Sequence, residues 1–187
     1  MNNIFINFIK LFFKLFYESG KYSIYTSNNN LLKSQISPYK IVEYNQYSQI
    51  PKYVIKKIIV YPFFSSLYYR LNSKNARLIC IDNGIELIAY GWIQSWKPFR
   101  RKFGWIFKNA IMLGPYWTNE KYRGKGIYGS LLQYSITHIS NDIPVLIYTS
   151  LDNVSSQKGI EKIGFDKIGD FRIFLFFRSF SIYRKLI

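Results

Sequence analysis

The feature that most constrains this chain is a glycine cluster set between an apolar strand and an amphipathic helix. Ala110 to Thr118 reads as a strand and Asn119-Glu120-Lys121-Tyr122 as a polar connector. Arg123-Gly124-Lys125-Gly126-Ile127-Tyr128 then makes a tight turn. From Gly126 to Ile139 the apolar positions Tyr128, Leu131, Leu132, Ile136 and Ile139 recur at helical spacing. A strand that enters a helix through glycines makes an anion site. The first helical N–H groups lack intrahelical acceptors, and the helix dipole favours negative charge there. Gly124 and Gly126 let the backbone approach a phosphate that a Cβ would obstruct. Arg123 and Lys125 add charge-assisted hydrogen bonds.

Spacing decides which anion. Gly124, Gly126 and Gly129 formally satisfy G-x-G-x-x-G, with Asp152 downstream at the end of the next strand. That pattern would suit a dinucleotide-binding oxidoreductase. Three features oppose it. The connector and Arg123 separate the strand from the first glycine, and the cluster begins about two-thirds of the way along the chain. Too little chain follows Asp152 to complete a doubly wound dinucleotide domain.

The flanking segments read as one mixed α/β domain without internal repeat or linker. Lys21 to Thr26 and Lys40 to Tyr44 are short strands separated by the polar stretch Ser27 to Asn30. Pro51 to Val60 and Pro62 to Leu71 are helices, each opening with a proline where one is tolerated. Arg77 to Ile81 and Glu86 to Gln94 pair across the turn Asp82-Asn83-Gly84. A basic loop carries Lys97, Arg100, Arg101 and Lys102. Pro144 to Ser150 is a buried strand, Val154 to Ile163 a helix, and Phe165 to Phe177 supplies two closing strands.

Two motifs in this order resemble the GNAT N-acetyltransferase superfamily. That family's cradle is Arg or Gln, two residues, Gly, one residue, then Gly or Ala, at a strand-to-helix junction; Arg123-Gly124-Lys125-Gly126 stands there. Its second signature is an Asn after the next strand and a helix closing in Glu-Lys-x-Gly-Phe, matched by Asn153 and Glu161-Lys162-Ile163-Gly164-Phe165. The match covers about Ala110 to Phe171, and the earlier half agrees in element order. The resemblance implies a single GNAT-like α/β domain, with a mixed twisted sheet splayed at the cofactor site. It implies acetyl-CoA as co-substrate, with backbone amides from Arg123 to Tyr128 (Gly124, Lys125, Gly126 and Ile127 between them) on the pyrophosphate. The strand at Tyr116, Trp117 and Thr118 would pair with the pantetheine arm, which Asn153 would also contact. Two positions depart from the family. Tyr128 stands where Gly or Ala is usual, and Ile160 stands where many members carry a tyrosine as general acid.

An alkyl side chain cannot protonate a thiolate, so another hydroxyl or water must. Tyr148 is the candidate donor; Glu120 and Asp152 are the carboxylates placed to take the amine's proton, or else solvated loop charges. His138, three turns down the helix, reads as a packing or surface histidine.

Charge and cysteine usage narrow the partners. The chain carries 26 Lys and Arg against 10 Asp and Glu, a formal +16. Such a field attracts nucleic acid, an anionic membrane face or phosphate-bearing small molecules. A single cysteine, Cys80, and a single histidine leave neither an intramolecular disulfide nor a metal site to expect, and a cytoplasmic location fits.

The apolar run Ile4 to Phe16 is broken by Asn7, Lys10 and Lys14, which with Asn3 form one polar stripe on a helix. Residues 1–18 therefore form an amphipathic basic helix ahead of a domain at 19–187. This helix packs on the domain or a second subunit, or lies on an acidic membrane surface. The expected activity is acetyl transfer to a primary amine of a small, anionic acceptor, such as a nucleotide-linked amino sugar of surface-polysaccharide synthesis. The alternative is a non-enzymatic basic protein on a degenerate GNAT fold that binds nucleic acid or a partner. No RNP, KH or helix-turn-helix signature supports the nucleic-acid reading.

Overall fold

The structure is a computed structural model and describes residues 17–27, 38–58, 76–139, 142–176 and 180–186. The helix expected through Phe16 and the one expected from Pro62 to Leu71 lie outside the described residues. The strands are β1 (Tyr17–Thr26), β2 (Val42–Tyr44), β3 (Ala76–Asp82), β4 (Leu87–Ser95), β5 (Ile111–Leu113), β6 (Trp117–Thr118), β7 (Val145–Ser150), β8 (Asp166–Phe176) and β9 (Phe180–Leu186). The helices are α1 (Lys52–Ile58), α2 (Arg100–Phe103), α3 (Ile127–Thr137) and α4 (Val154–Lys162). One sheet runs in the order β2-β3-β4-β5-β7-β1-β8-β9, with β6 paired to β4.

Among the described strands only β5 and β7 run parallel; every other pair is antiparallel. A doubly wound dinucleotide domain needs a largely parallel sheet. The oxidoreductase reading therefore fails on topology.

The β3–β4 hairpin forms where its turn residues predict. Asp82 Oδ1 accepts the Gly84 N–H at 2.9 Å, and Asn83 Oδ1 accepts those of Ile85 and Glu86 at 3.1 and 2.8 Å. Gly84 takes a φ of 83°, which a side chain would disfavour.

Three expectations need correcting. The strand expected over Ala110 to Thr118 is two, because Pro115 has no N–H to donate and Gly114 turns to a φ of 102°. Buried Gln94 reaches across and donates its amide to the Gly114 carbonyl, fixing the break. Phe165 to Phe177 is not a strand pair. It is the continuous β8, held by β1 on one side and β9 on the other, with a bulge at Ile168 between the pairs Ile24–Gly169 and Tyr25–Lys167. Finally, β1 starts at Tyr17, two residues inside the segment assigned to the N-terminal helix, and it is an interior strand between β7 and β8.

The core lies on both faces of the sheet. On one face Ile79, Ile81, Ile93, Leu113 and Ile147 pack under α3 and α4, against Leu131, Leu132, Ile136 and Ile160. The other face is divided. Leu78, Cys80 and Trp92 pack with Val54 of α1, while Ile24, Met112, Leu146 and Phe171 pack with Trp96 and Phe103 around α2. Neighbouring residues of β3 and β7 thus face opposite cores, which is why those strands are apolar without alternation. Removing one such side chain, as in Leu132→Ala, costs about 2–5 kcal/mol.

Candidate functional site

The break at Gly114 opens the sheet. β5 and β7 pair in register from Ile111 with Val145 to Leu113 with Ile147, and there the pairing stops. Beyond it, β6 pairs with β4, through Trp117 with Tyr90 and Thr118 with Ala89. β7 instead continues beside β1, through Tyr148 with Ile24 and Ser150 with Tyr22. Between the diverging strands lies a cleft of about 820 Å³, lined by Tyr116, Trp117 and Thr118 on one side and Tyr148 and Thr149 on the other. Its floor is the start of α3, and Asn153 and Ser156 of the α4 entry close its far side.

The start of α3 leaves its first-turn donors without a side-chain cap. Gly126 sits at the N-cap in the left-handed region, φ 75°, and no side chain caps the helix. Gly124 has a φ of 78°. A Cβ added at either glycine would meet nothing within 4 Å, so conformation restricts these positions on the protein side and the space in front stays open. The first-turn N–H groups of α3 have no intrahelical acceptor. The Arg123 amide differs, because it already donates to the Glu120 carbonyl at 3.2 Å. The turn is braced from behind. Tyr39 donates to the Lys125 carbonyl at 3.0 Å, Tyr122 donates to Glu86 at 2.9 Å, and the Lys125 ammonium lies 5.2 Å from the Tyr122 ring centre.

The structure brings most of the sequence-derived residues together. Tyr116, Trp117, Thr118, Arg123, Gly124, Gly126, Ile127, Tyr128, Tyr148 and Asn153 line the cleft; Lys125, Glu120 and Asp152 do not. Glu120 is exposed and lies 3.5 Å from the Arg123 guanidinium. Asp152 is in the exposed turn after β7. His138 caps the far end of α3, stacked on Tyr134, and is a surface residue. Asn153 uses its Oδ1 on the Ser156 N–H, at 3.2 Å, and on the Ser155 hydroxyl, at 3.0 Å. A contact to a ligand must therefore come from its Nδ2 or its backbone.

Two tyrosines take roles that the sequence did not show. Tyr116 turns its ring under the sheet: it fills the space over Gly91, where a Cβ would stand 2.1 Å from Cε1, and its hydroxyl meets Ser135 of α3 at 2.8 Å. Its ring packs edge-on to Tyr128. Burial pushes both phenols well above their ordinary values, so neither is a phenolate near neutral pH. Gly91 was the available sequence signal, a glycine inside an apolar strand.

No protein-family model matches this sequence, and no curated protein matches it. Solved structures do. An acetyltransferase from the GNAT family of Colwellia psychrerythraea superposes with a TM-score of 0.59 at 18% identity, over 91% of this chain and 61% of that one. A putative GNAT-family acetyltransferase of Novosphingobium aromaticivorans gives 0.61 at 13% identity, over 91% and 66%. The fold is that of the GNAT acetyltransferases. Both GNAT neighbours are longer chains, of which this one spans under two thirds. A third GNAT-fold match, AAC(6')-Iy in complex with the bisubstrate analogue CoA-S-monomethyl-acetylneamine, gives 0.50 at 14% identity, over 70% of this chain and 92% of that one.

Proposed function

We propose that this chain is an acyl-CoA-dependent N-acyltransferase that moves an acetyl group from acetyl-CoA to a primary amine of a small molecule. The observation that carries it is the uncapped N-terminus of α3, entered through Gly124 and Gly126, at the mouth of the gap between β6 and β7. A diphosphate fits the first, and an extended amide-bearing arm fits the second, since β6 pairs among the described strands with β4 alone. The same fold in AAC(6')-Iy holds an analogue that joins CoA to an acceptor mimic, which supports a CoA-type co-substrate.

Acetyl-CoA, when bound, supplies an activated thioester carbonyl, and its departing thiolate takes up a proton. The protein's part is placement, water exclusion and that proton. Ile160, fully buried among Leu131, Leu132 and Phe165, cannot give it. Tyr148 is the hydroxyl we assign, on the gap-facing part of β7 beside Tyr22 and Phe103. Among the described residues no Asp, Glu, His or Cys lines the cleft, and Arg123 is its one formal charge. The acceptor amine therefore enters as the free base and loses its proton to water after attack.

The same charge pattern selects the acceptor. A polycationic amine would find no carboxylate among the described lining residues. Phe99 lines the cleft, and the exposed Lys97 and Arg100 adjoin it in the chain, which supports an anionic acceptor such as a nucleotide-linked amino sugar. Calorimetric titration with acetyl-CoA, followed by an amine screen read by free-thiol release, tests the assignment. Gly126→Asp sets a carboxylate against the diphosphate and should abolish binding. Undiminished affinity in the folded variant removes the assignment, and oligonucleotide binding in its place favours the nucleic-acid reading.

A further inference from the structure

The sheet carries a second cationic feature, away from the cleft. β1, β8 and β9 run on past the end of β7, since Tyr22 is the last β1 residue paired to it. In that extension Lys21 lies opposite Arg172, and Arg172 opposite Arg184. Three cations thus stand abreast on three adjacent strands, and all three are exposed. Strand spacing makes the row roughly 10 Å wide. All three project on one face of the sheet, because Tyr22, Phe171 and Tyr183 beside them pack on the other, against Trp105 and Phe103.

Like charges directly opposite one another destabilise a sheet. The usual remedy is an interleaved carboxylate, and among the described residues none is paired with the row. Asp170, one step along the same face, is taken by Lys167 at 2.9 Å and by the Ser23 hydroxyl at 2.7 Å. Asp152 follows Leu151, whose N–H donates to the Lys21 carbonyl, yet it makes no ion pair with the row. The step on the other side carries Ser19, the half-buried Phe174 and Ile182, which is 49% exposed. An exposed aliphatic residue beside an unneutralised cation rank is a pattern suited to a surface that rests on an anionic bilayer. Chain continuity adds to it. The basic amphipathic segment through Phe16, with Lys10 and Lys14, joins this extension at Tyr17.

We propose that the β1–β8–β9 extension is a docking surface for an anionic lipid bilayer, with Lys21, Arg172 and Arg184 on headgroup phosphates and Ile182 at the acyl boundary. Docking there would hold the protein peripherally; no helix among the described residues is long and apolar enough to cross a membrane.

Co-sedimentation of the full chain with phosphatidylcholine vesicles, with and without phosphatidylglycerol, tests this. We expect binding to the anionic vesicles that weakens with salt and is absent from the neutral ones. The triple variant Lys21→Gln, Arg172→Gln, Arg184→Gln should lower the partition constant about a hundredfold. Ile182→Ser alone should lower it about fivefold. Acetyl-CoA affinity should be unchanged in both, since none of these residues lines the cleft, which keeps this test separate from that of the catalytic assignment. The proposal is overturned if the wild type ignores anionic vesicles. It is equally overturned if the folded triple variant binds them like wild type, the N-terminal segment then being the sole anchor. Row-dependent binding of a random oligonucleotide without vesicle binding also overturns it, in favour of a nucleic-acid surface.

Discussion

The ring of Tyr128, on the first turn of α3, occupies the space in which a side chain at Gly159 of α4 would begin. A Cβ at Gly159 would lie 2.9 Å from Tyr128 Cδ1 and Cε1. This large residue beside the glycine turn is thus accommodated by a glycine on the facing helix. An exposed helical Gly→Ala normally stabilises by about 1 kcal/mol, whereas overpacking a buried ring costs about 1–3 kcal/mol. Gly159→Ala should therefore destabilise the wild type and stabilise a Tyr128→Ala background. Denaturant midpoints of the four proteins give the coupling energy, and a sign that does not change would refute the contact.

Arg123 and Glu120 set a second prediction. The guanidinium donates through Nε to the Thr118 carbonyl at 3.3 Å and lies 3.5 Å from the Glu120 carboxylate, on a largely exposed surface. Arg123→Ala should weaken acetyl-CoA binding by about tenfold or more, as a charge-assisted phosphate contact is lost. Glu120→Gln should leave affinity equal or slightly improved, because it releases the guanidinium. Titrations of both variants decide it, and a severe binding loss in Glu120→Gln would contradict the geometry.

Turnover separates the proton carriers. Tyr148→Phe should lower kcat about a hundredfold with acetyl-CoA affinity unchanged. Asp152→Asn and Glu120→Gln should lower it less than about twofold, since neither side chain lines the cleft. A kcat collapse in either carboxylate variant, with Tyr148→Phe fully active, would reverse the assignment.

Asp170 gives a pH signature for the fold. Burial pushes its carboxyl up, but hydrogen bonds from Lys167 and Ser23 and the lysine's charge outweigh that, so the net shift is downward. A lowered native value means that the stabilisation is present above the unfolded value and is lost as pH falls through the folded one. Asp170→Asn should therefore be less stable than wild type at pH 7, by no more than about 1 kcal/mol for this part-exposed pair. The gap should begin to close below about pH 4 and vanish once the pH is below the lowered native value. A gap that persists in acid would assign the loss to packing instead of charge.

Cys80 should resist thiol reagents. It is fully buried in the strand pair β3–β4, and burial, with the nearby Asp82 charge adding to it, pushes the thiol well above its ordinary value. Labelling in native buffer should be far slower than in denaturant and should follow global unfolding. Fast native labelling would show that β3 opens locally.

The glycine turn, the helix behind it and the Asn153 entry of α4 were legible in the sequence because each is a local device. Their positions depend on φ preference, capping and periodicity within a few residues of chain. The hairpin at Asp82-Asn83-Gly84 was legible for the same reason. The sheet order was not. That β1 would sit between β7 and β8 depends on pairings across 118 or more residues, such as Val145 N–H on the Ser27 hydroxyl, and no local pattern encodes a partner. The division of Ala110 to Thr118 into two strands required Gln94, twenty residues away, to take the Gly114 carbonyl. The exclusion of Glu120 and Asp152 from the cleft was likewise decided in three dimensions: both flank the motifs in sequence, yet the turns that carry them face solvent. The sequence by itself determined a glycine-rich strand–turn–helix and its likeness to the GNAT family. Only the tertiary structure decided which strands part to make the cleft, and that three cations far apart in the chain stand in one row, because both follow from long-range register between strands.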